Sequence, residues 1–412
     1  MLYKFTSTCK FIQHLMHIRD RYIIDIIDKK LRAFAIVGVL GARQVGKSTL
    51  LRDLIAKPRG LSYLTLDRPN ILSEARSQPE SFILSSSEDL SKTIIVDEAH
   101  KAPDLFDVLK VLADERRKRG AVMITGSVDF MKVDGVREAL TGRLGLTRLY
   151  PLTIGEMAKR SFRFGWGNLT KAKTVDQSPC TTMDVDSWLE RGGMPAICQL
   201  GDKSLREELI EEWLQSICYR DLPQLKGARY DGALAREVLG LIAKFPEASE
   251  ADISRRLGED ARRIRRHTEG LEALFVIYRI SPLKAAGGDG FDRFTLLDPA
   301  VARYLGAEKR DLYRILVVNE ILAQHEYSGN GPVTLHHFSK RGRTRIDLVV
   351  ATKRGNLALV IHHQATIDQY LIKRLEHAQK LNIASDIHVL SPTVESFKIR
   401  QGLVQIPYRM VC

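Results

Sequence analysis

This sequence has few of the features that mark secreted, membrane-spanning or metal-bound proteins. Its five cysteines contain no Cys-x-x-Cys pair, so they indicate reduced thiols rather than a disulfide framework or a zinc site. They are Cys9, Cys180, Cys198, Cys218 and Cys412. No run of residues reaches the roughly 18 apolar positions that a membrane helix needs. Charged residues interrupt the N-terminus, which therefore lacks the apolar core of a signal peptide. We expect a cytoplasmic protein without a membrane partner.

Positive charge, by contrast, is in excess. The 412 residues include 63 Lys and Arg against 50 Asp and Glu, which gives a formal net charge of +13. Such an excess favours polyanionic partners, nucleic acid above all. The hydrophobic fraction of 44% and the charged fraction of 27% are typical of globular proteins. At about 100–200 residues per domain, a chain of this length forms several domains.

Four short apolar runs in the first third of the chain predict the strands of a parallel sheet. They are Ala35–Leu40, Leu61–Leu66, Thr93–Val96 and Ala121–Thr125. Stretches with apolar residues at helical spacing, such as 105–113, separate some of the runs. Strands that alternate with helices predict an α/β fold. Residues 1–32 are predicted to form a helical lead-in, and residues 161–182 an irregular polar loop or insertion.

A glycine-containing segment directly after the first run matches the phosphate-binding consensus G-x-x-x-x-G-K-[ST]. It consists of Gly41, Ala42, Arg43, Gln44, Val45, Gly46, Lys47, Ser48 and Thr49. The glycines permit a tight loop whose backbone N–H groups surround phosphate oxygens. Lys47 is expected to contact the β and γ phosphates of ATP, and Ser48 to ligate Mg²⁺. The helix that follows directs its positive end at the same phosphates. The alternative is a glycine turn that matches by chance.

Two adjacent carboxylates, Asp97 and Glu98, follow the third apolar run. Neighbouring residues on a strand point to opposite sides, so the pair can divide two tasks. Asp97 is expected to hold Mg²⁺ through its water shell, and Glu98 to orient and polarise the attacking water. The fourth run ends near Thr125 and Ser127, where a polar residue often senses the γ-phosphate in AAA+ ATPases. A plain strand-to-loop turn is the alternative for that position.

Residues 247–280 predict a helix-turn-helix whose second helix is basic. Gly258 supplies the turn, while Ile264 and Leu271 are spaced to face the core. The arginines then face solvent, where they suit the phosphates or base edges of double-stranded DNA. They are Arg262, Arg263, Arg265 and Arg266, with Arg255 and Arg256 just upstream. The alternative is a packing unit whose arginines pair with acidic residues or stay solvated.

The order of motifs along almost the whole chain resembles a family of prokaryotic AAA+ ATPases with a C-terminal winged helix and a restriction-endonuclease-like domain of unassigned function. The phosphate loop, IIVDEAHKAPDLFDVLK at 94–110 and ITGS at 124–127 are the first marks, and many ATPases share such segments. The specific marks come later in the chain. They are EALTGRLGLTRLYPLTIGE at 138–156, RGGMPA at 191–196, RDL at 220–222, LEALFVIYRI at 271–280 and TRIDLVV at 344–350.

This resemblance implies an AAA+-like sheet with a helical lid, and it singles out Arg143. That arginine becomes a candidate finger for the γ-phosphate, in cis or from a neighbouring subunit. An arginine that only stabilises the fold is the equal alternative. The resemblance does not specify an oligomer, although a finger in trans requires one.

The resemblance also places two carboxylates, Glu320 and Asp347, at acidic positions of the nuclease metal site. His362 and Gln364 stand where Glu and Lys of the Glu-x-Lys motif are expected. One carboxylate and the lysine are thus missing, and we expect no nuclease activity. Asp347 with His362 is a candidate pair for a transition metal, although histidines on a strand are more often structural.

These observations predict a P-loop NTPase of the AAA+ type followed by three further units. The predicted domains are the ATPase domain with its lead-in at 1–155, a helical lid or linker at 156–230, a winged-helix domain at 231–300 and a degenerate restriction-endonuclease-like domain at 301–412. The predicted function is binding and Mg²⁺-dependent hydrolysis of ATP, coupled to the binding of DNA or a protein partner.

The sequence allows three alternative functions. A helicase is suggested because residues 97–100 spell DEAH, but only one phosphate-loop core is visible in the sequence. A non-catalytic, ATP-binding regulatory protein would have no need of Glu98. An ATP-dependent nuclease is disfavoured by His362 and Gln364.

Overall fold

The computed structural model describes residues 19–85, 92–116, 118–129, 140–162, 180–225, 229–331, 333–340, 344–352, 355–384 and 386–411. The first part of the predicted lead-in, most of the predicted polar insertion, and both Cys9 and Cys412 lie outside these residues. The described strands form two sheets, one of five strands and one of eight. In the described part, no helix combines the length and the apolar character needed to cross a membrane.

The first sheet is parallel, with the strand order β2-β3-β4-β1-β5. Its strands are β1 Ile36–Leu40, β2 Ser62–Thr65, β3 Ile94–Asp97, β4 Val122–Gly126 and β5 Leu144–Arg148. The four strands expected from apolar runs are confirmed. The fifth, β5, was not expected, because its residues alternate between buried and half-buried and form no continuous apolar run. It lies at the sheet edge, where one-sided burial suffices.

Helices flank the first sheet, as the alternation of patterns predicted. They are α1 Ile24–Ala33, α2 with its consecutive segments Lys47–Thr49, Leu50–Ala56 and Lys57–Arg59, α3 Pro69–Ser77, α4 Pro79–Ser85 and α5 Leu105–Arg116. The apolar side chains that separate these helices from the sheet belong to the larger hydrophobic core. The helix α1 confirms the later part of the predicted lead-in.

A mostly helical region follows the first sheet. Its helices are α6 Ile154–Met157, α7 Thr182–Arg191, α8 Pro195–Cys198 and α9 Lys203–Ser216, which continues through Ile217–Asp221 and Leu222–Gln224. Two tryptophans, Trp188 and Trp213, are fully buried in it. Trp188 donates to the carbonyl oxygen of Leu152 and Trp213 to that of Arg43, so this region contacts the segments that follow β5 and β1.

Three helices and a β-hairpin come next. They are α10 Gly232–Lys244, α11 Glu250–Leu257, α12 Ala261–Ala273, β6 Ile277–Pro282 and β7 Arg293–Leu296. The turn between α11 and α12 contains Gly258 with a φ of 65°, a left-handed conformation that favours glycine. The helix-turn-helix expected from residues 247–280 is therefore present.

The second sheet has the strand order β12-β13-β11-β10-β9-β8-β6-β7. Besides β6 and β7, its strands are β8 Thr334–Lys340, β9 Thr344–Thr352, β10 Gly355–Ile361, β11 Asp386–Ser391, β12 Phe397–Arg400 and β13 Leu403–Pro407. The helices in this part of the chain are α13 Pro299–Tyr304, α14 Lys309–Tyr327 and α15 Gln369–Lys380. The hairpin joins this sheet because β6 pairs in parallel with β8. The strands on both sides of the predicted boundary at residue 300 thus form one continuous sheet.

Candidate nucleotide site

The phosphate loop leaves the central strand β1 at its carboxyl end and enters α2. Two of its glycines are required by the backbone. A Cβ on Gly41 would lie 2.3 Å from the carbonyl oxygen of Leu149, so no other residue fits there. Gly46 has a φ of 98°, which a side chain would strain. The loop is therefore a tight turn against the neighbouring chain, followed by a helix N-terminus, as a phosphate site requires.

Lys47 lies at that helix start and is buried. Its Nζ donates to the carbonyl oxygens of Gly41 and Ala42, each at 2.9 Å. Burial lowers the pKa of Lys47, and the negative charges of Glu98 and Asp97 oppose this effect. The structure thus places the lysine of the loop close enough to the carboxylates at the end of β3 for their charges to affect its pKa.

Asp97, at the end of β3, is held by two hydroxyl groups. Thr125 Oγ1 donates to Asp97 Oδ1 at 2.5 Å, and the hydroxyl of Tyr63 donates to Asp97 Oδ2 at 2.5 Å. Asp97 is almost fully buried, and Ser48 approaches the same tyrosine hydroxyl. The two residues that the sequence assigned to Mg²⁺, Ser48 and Asp97, therefore meet at Tyr63.

Glu98 adopts a left-handed backbone with a φ of 58°. Non-glycine residues in this region are strained, and such strain is concentrated at functional sites. The N–H and hydroxyl of Ser127 both donate to Glu98 Oε2, at 3.3 and 3.2 Å. His100 Nδ1 lies 3.2 Å from the same oxygen. Burial works against ionisation of Glu98, but Lys47 and His100 outweigh it, so the pKa of Glu98 is lowered.

Thr125 and Ser127, the two alternative candidates for the phosphate sensor, contact different carboxylates. Thr125 binds Asp97 and also accepts a hydrogen bond from the backbone N–H of Glu98 at 3.0 Å. Ser127 contacts the carboxylate of Glu98. Both residues lie at the carboxyl end of β4, next to the phosphate loop, because β4 pairs with β1 in parallel.

Residues from distant parts of the chain support the phosphate loop, and sequence reasoning missed them. The buried Arg21 donates to the carbonyl oxygens of Val45 at 2.9 Å and Tyr150 at 2.7 Å, and it pairs with Glu156 at 3.1 Å. No local pattern around Arg21 indicates this role. It becomes visible only when the loop, β5 and α6 are placed together.

The helical region contacts the same loop from another side. Trp213 Nε1 donates to the carbonyl oxygen of Arg43 at 3.2 Å, and the side chain of Arg43 pairs with Asp221 at 3.4 Å. Arg220 pairs with the same carboxylate at 2.9 Å. The RDL motif therefore contacts the phosphate loop, a role that the motif alone did not indicate.

Arg143, the candidate arginine finger, lies where the parallel strands begin, at the end of the sheet opposite to the phosphate loop. Its carbonyl oxygen accepts a hydrogen bond from Ile36 at the start of β1, whereas the phosphate loop follows the end of that strand. Its guanidinium pairs with Asp114, with Nε 2.5 Å from Oδ1. A finger role in cis does not fit this position, because a strand of five residues is more than 10 Å long at about 3.3 Å per residue.

The arginines of α12 are partly engaged with acidic neighbours. Arg263 pairs with Glu259 and Asp231, each at 2.7 Å, and Arg265 pairs with Glu269 at 3.0 Å. The exposed arginines on this helix are Arg262, Arg265 and Arg266. The apolar residues Ile264 and Leu271 are fully buried, as their spacing predicted.

The two carboxylates matched to a nuclease metal site have other partners. Glu320 Oε1 accepts from the N–H of Ile154 at 2.7 Å, and its Oε2 accepts from Gln324 at 2.8 Å. Asp347 Oδ2 accepts from the N–H of Ile361 at 2.9 Å, and its Oδ1 faces two arginines, Arg310 at 3.5 Å and Arg345 at 3.4 Å.

The candidate metal pair of Asp347 and His362 is not supported by these contacts. His362 Nε2 lies 2.9 Å from the carbonyl oxygen of Thr366, and Gln364 is exposed. Among the residues that the structure describes, no group of three or more His, Cys, Asp or Glu side chains is arranged to hold a metal ion. The positive charges of Arg310 and Arg345 balance the negative charge of Asp347, as a bound metal ion would.

Comparison with known proteins found a similarity for the residues of the first sheet. The family model of the AAA domain matches residues 33–158. Residues 33–158 are therefore similar to an AAA domain. This domain contains β1–β5, the phosphate loop, and both Asp97 and Glu98. A second family model, described as a domain of unknown function (DUF8612), matches residues 182–310 and crosses the predicted boundary between the helical region and α10.

Two curated relatives, each described as an uncharacterized protein, match part of the chain. The protein Rv2008c of Mycobacterium tuberculosis is 28% identical over 256 residues, which are 62% of this chain and 51% of that protein. The protein MJ1544 of Methanocaldococcus jannaschii is 23% identical over 206 residues, 49% of this chain and 45% of that protein. The chain spans about half the length of the curated relatives it matches.

Solved structures that match the chain weakly include an ATPase and a nucleotide-bound protein. A signal transduction ATPase with numerous domains from Pyrococcus horikoshii has a TM-score of 0.29 and 13% identity, and the match covers 76% of this chain and 48% of that one. AMPPCP-bound DnaA from Aquifex aeolicus has a TM-score of 0.29 and 14% identity, with coverage of 60% and 86%. Similarity at this level assigns no activity.

Proposed function

We propose that this chain is an ATP-binding and ATP-hydrolysing AAA+ ATPase that couples its nucleotide state to the binding of a macromolecule. The observation that carries the proposal is the convergence of three features at the carboxyl edge of one parallel sheet. These are the loop with Lys47, the pair Asp97 and Glu98, and the polar end of β4. A phosphate site, a cation site and a base for water activation are what ATP hydrolysis requires.

The oxygen donors at this edge suit Mg²⁺, which prefers carboxylate and hydroxyl oxygens with water completing its shell. Ser48 and Asp97 would hold the ion, which neutralises phosphate charge when bound. Lys47 would exchange its contacts with the loop carbonyls for phosphate oxygens. Glu98, whose lowered pKa keeps it ionised, would accept a hydrogen bond from the attacking water. Ser127 orients Glu98 through two hydrogen bonds.

Coupling to the rest of the chain is supported by contacts on the back of the loop. Asp298 is buried and accepts from the N–H groups of Gly193 at 2.7 Å and Met194 at 3.1 Å. The next residue, Pro195, lies against the loop, since a Cβ on Gly46 would be 3.6 Å from its ring. Movement of the loop on phosphate binding would therefore press on a segment anchored to the C-terminal half.

We further propose that the macromolecule is double-stranded DNA, bound through the exposed arginines of α12 in a winged-helix arrangement. Three helices followed by an antiparallel hairpin support this arrangement, and the net positive charge supports the ligand. In chain order, the elements from α14 to β11 are a helix, three antiparallel strands, a second helix and a strand parallel to the one before it. This order supports a restriction-endonuclease-like scaffold.

The test is steady-state hydrolysis of Mg²⁺–ATP by the purified chain, beside Lys47→Ala and Glu98→Gln. Lys47→Ala should abolish turnover and strongly weaken ATP binding, whereas Glu98→Gln should keep binding and lose about 100-fold or more of turnover. Lys57→Ala, an exposed lysine near the end of α2, is the matched control. Normal turnover in Lys47→Ala would refute the site. Binding without any turnover in the parent protein would leave a nucleotide-binding regulatory protein.

DNA binding is tested separately by its dependence on salt. Replacing Arg262, Arg265 and Arg266 by Ala should weaken binding to duplex DNA and reduce the log–log salt slope by about 0.9 for each phosphate that is no longer neutralised. Arg263→Ala is the control, because Arg263 is engaged by Glu259 and Asp231. An unchanged slope in the triple variant would remove α12 from the DNA interface.

A further inference from the structure

Tyr63 lies on β2, next to the strand that carries the acidic pair. In the register of the sheet, Tyr63 is opposite Ile95, and Thr65 is opposite Asp97. The tyrosine side chain extends toward the carboxyl edge, where its hydroxyl reaches Asp97 Oδ2 at 2.5 Å. No sequence motif includes this residue, and β2 is half-buried, so packing of the strand does not itself require a tyrosine hydroxyl there.

The same hydroxyl faces Ser48 and Arg52 of α2 as well as Asp97. Ser48 is near enough to the tyrosine hydroxyl to influence its pKa, which burial raises and Ser48 lowers. The phenol donates its proton to Asp97 Oδ2, and the lone pairs of its oxygen remain available to accept the proton of Ser48.

A serine that ligates a divalent cation must direct a lone pair at the ion. Its own proton must then point to an acceptor elsewhere, and an acceptor that is fixed in place determines the direction of the lone pair. A carboxylate near the ion must likewise be held against rotation. Thr125 holds one oxygen of Asp97 and Tyr63 holds the other.

From this arrangement we infer that Tyr63 is a positioning residue for the cation site: its hydroxyl accepts a hydrogen bond from Ser48 and donates one to Asp97, which orients both oxygen donors toward Mg²⁺. The inference rests on the proposed function, because it assumes that Ser48 and Asp97 are the residues that hold the ion. Each oxygen of Asp97 retains a further lone pair, so both hydroxyl contacts persist when the carboxylate also accepts from water bound to the ion.

Two other roles for Tyr63 make different predictions. If its hydroxyl occupied the place of the cation and had to be displaced, removal of the hydroxyl would strengthen Mg²⁺ binding. If the ring only packed against α2, removal of the hydroxyl would leave Mg²⁺ binding unchanged. The positioning role alone predicts weaker Mg²⁺ binding while the phosphate loop keeps its affinity for nucleotide.

The experiment measures binding of a fluorescent, non-hydrolysable ATP analogue by the full chain, in EDTA and across a Mg²⁺ series. The variant is Tyr63→Phe, which removes one oxygen atom. Its control is Tyr304→Phe, which also deletes a tyrosine–carboxylate hydrogen bond, that of Tyr304 to Glu211 at 2.9 Å, outside the nucleotide site. Thermal denaturation of each variant verifies the fold. The complex that Mg²⁺ forms with free nucleotide is common to all variants and cancels in the comparison.

For Tyr63→Phe we expect the Mg²⁺ concentration at half-maximal effect to rise roughly 10-fold or more, as is typical when a partner of a metal ligand is removed. Affinity in EDTA should stay within about twofold, and Tyr304→Phe should match the parent. In a Ser48→Ala background the effect of Tyr63→Phe should shrink, because one of its two partners is already gone.

Three results would overturn the inference. They are an unchanged Mg²⁺ dependence, a stronger Mg²⁺ affinity, or an equal loss of binding in EDTA and in Mg²⁺. If the parent chain itself binds no analogue under either condition, the proposed function fails as well. If the parent binds and Tyr63→Phe behaves like it, only the positioning role fails.

Discussion

Glu320 provides a direct test of how this fold accommodates a buried carboxyl group. Burial raises the pKa of Glu320 from 4.5 to about 7, and nearby Glu156 adds to the rise. A raised pKa means that the folded state prefers the protonated acid. Stability from this group is therefore fully present below about pH 4.5 and is lost as the pH rises through about 7. At about 1.36 kcal/mol per unit, the total loss is roughly 3 kcal/mol.

The substitution Glu320→Gln should remove this loss. The amide oxygen can still accept from the N–H of Ile154, which Glu320 bonds at 2.7 Å. The amide nitrogen would face Gln324 Nε2, so the Gln324 amide must turn to present its unpartnered Oε1, and it then gives up its hydrogen bond to the carbonyl oxygen of Val411. We expect the variant to be more stable than the parent by up to about 3 kcal/mol at pH 8 and by less than about 1 kcal/mol at pH 5.

The assay is denaturant and thermal unfolding of both proteins between pH 5 and pH 8. Glu326→Gln, on the same helix, is the control, because the carboxylate of Glu326 faces Lys30 at 3.3 Å. It should show no gain at pH 8. A Glu320→Gln variant that is destabilised equally at both pH values would refute the reasoning, since it would mean that the carboxylate acts only as an acceptor. A large effect of divalent metal on the stability of the parent, absent in the variant, would restore Glu320 as a metal ligand.

Two further predictions concern arginines. Arg143→Ala should leave ATP turnover within about twofold where the protein is monomeric, because Arg143 pairs with Asp114 at the far edge of the sheet; a loss of tenfold or more that appears only on self-association would indicate a finger acting in trans. Arg21→Met should destabilise the fold by about 3–5 kcal/mol, because it leaves a buried glutamate unpaired. Arg59→Met, which breaks a more exposed pair with Asp28, should cost less than about 1 kcal/mol in the same unfolding assay.

Much of the first domain could be predicted from the sequence because its signals are local. A fully buried parallel strand needs a continuous apolar run, and β1, β3 and β4 each have one. The phosphate loop and the pair of Asp97 and Glu98 are contiguous segments that follow such strands. Because parallel strands end at the same edge of a sheet, the sequence is enough to place both segments there. β5 was not predicted because a partly exposed strand at the edge of a sheet needs no continuous apolar run.

Arg143 and Glu320 show where motif order misleads. Arg143 lies within the motif at 138–156, but the motif does not state at which end of β5 the arginine lies. Glu320 matches an acidic position on a helix, yet its side chain contacts α6 rather than Asp347. In both cases the direction and packing of an element decide the role, and neither is encoded in residue spacing.

By itself, the sequence determined the α/β class of the first domain, the phosphate loop, the acidic pair and the amphipathic basic helix α12. Only the tertiary structure decided which residues surround them: Tyr63 at Asp97, Arg21 at Val45 and Asp221 at Arg43. Periodicity and motifs report on residues a few positions apart, because strands and helices repeat over that range. Contacts between residues far apart in the chain depend on how the elements pack, so they appear only once the chain is folded.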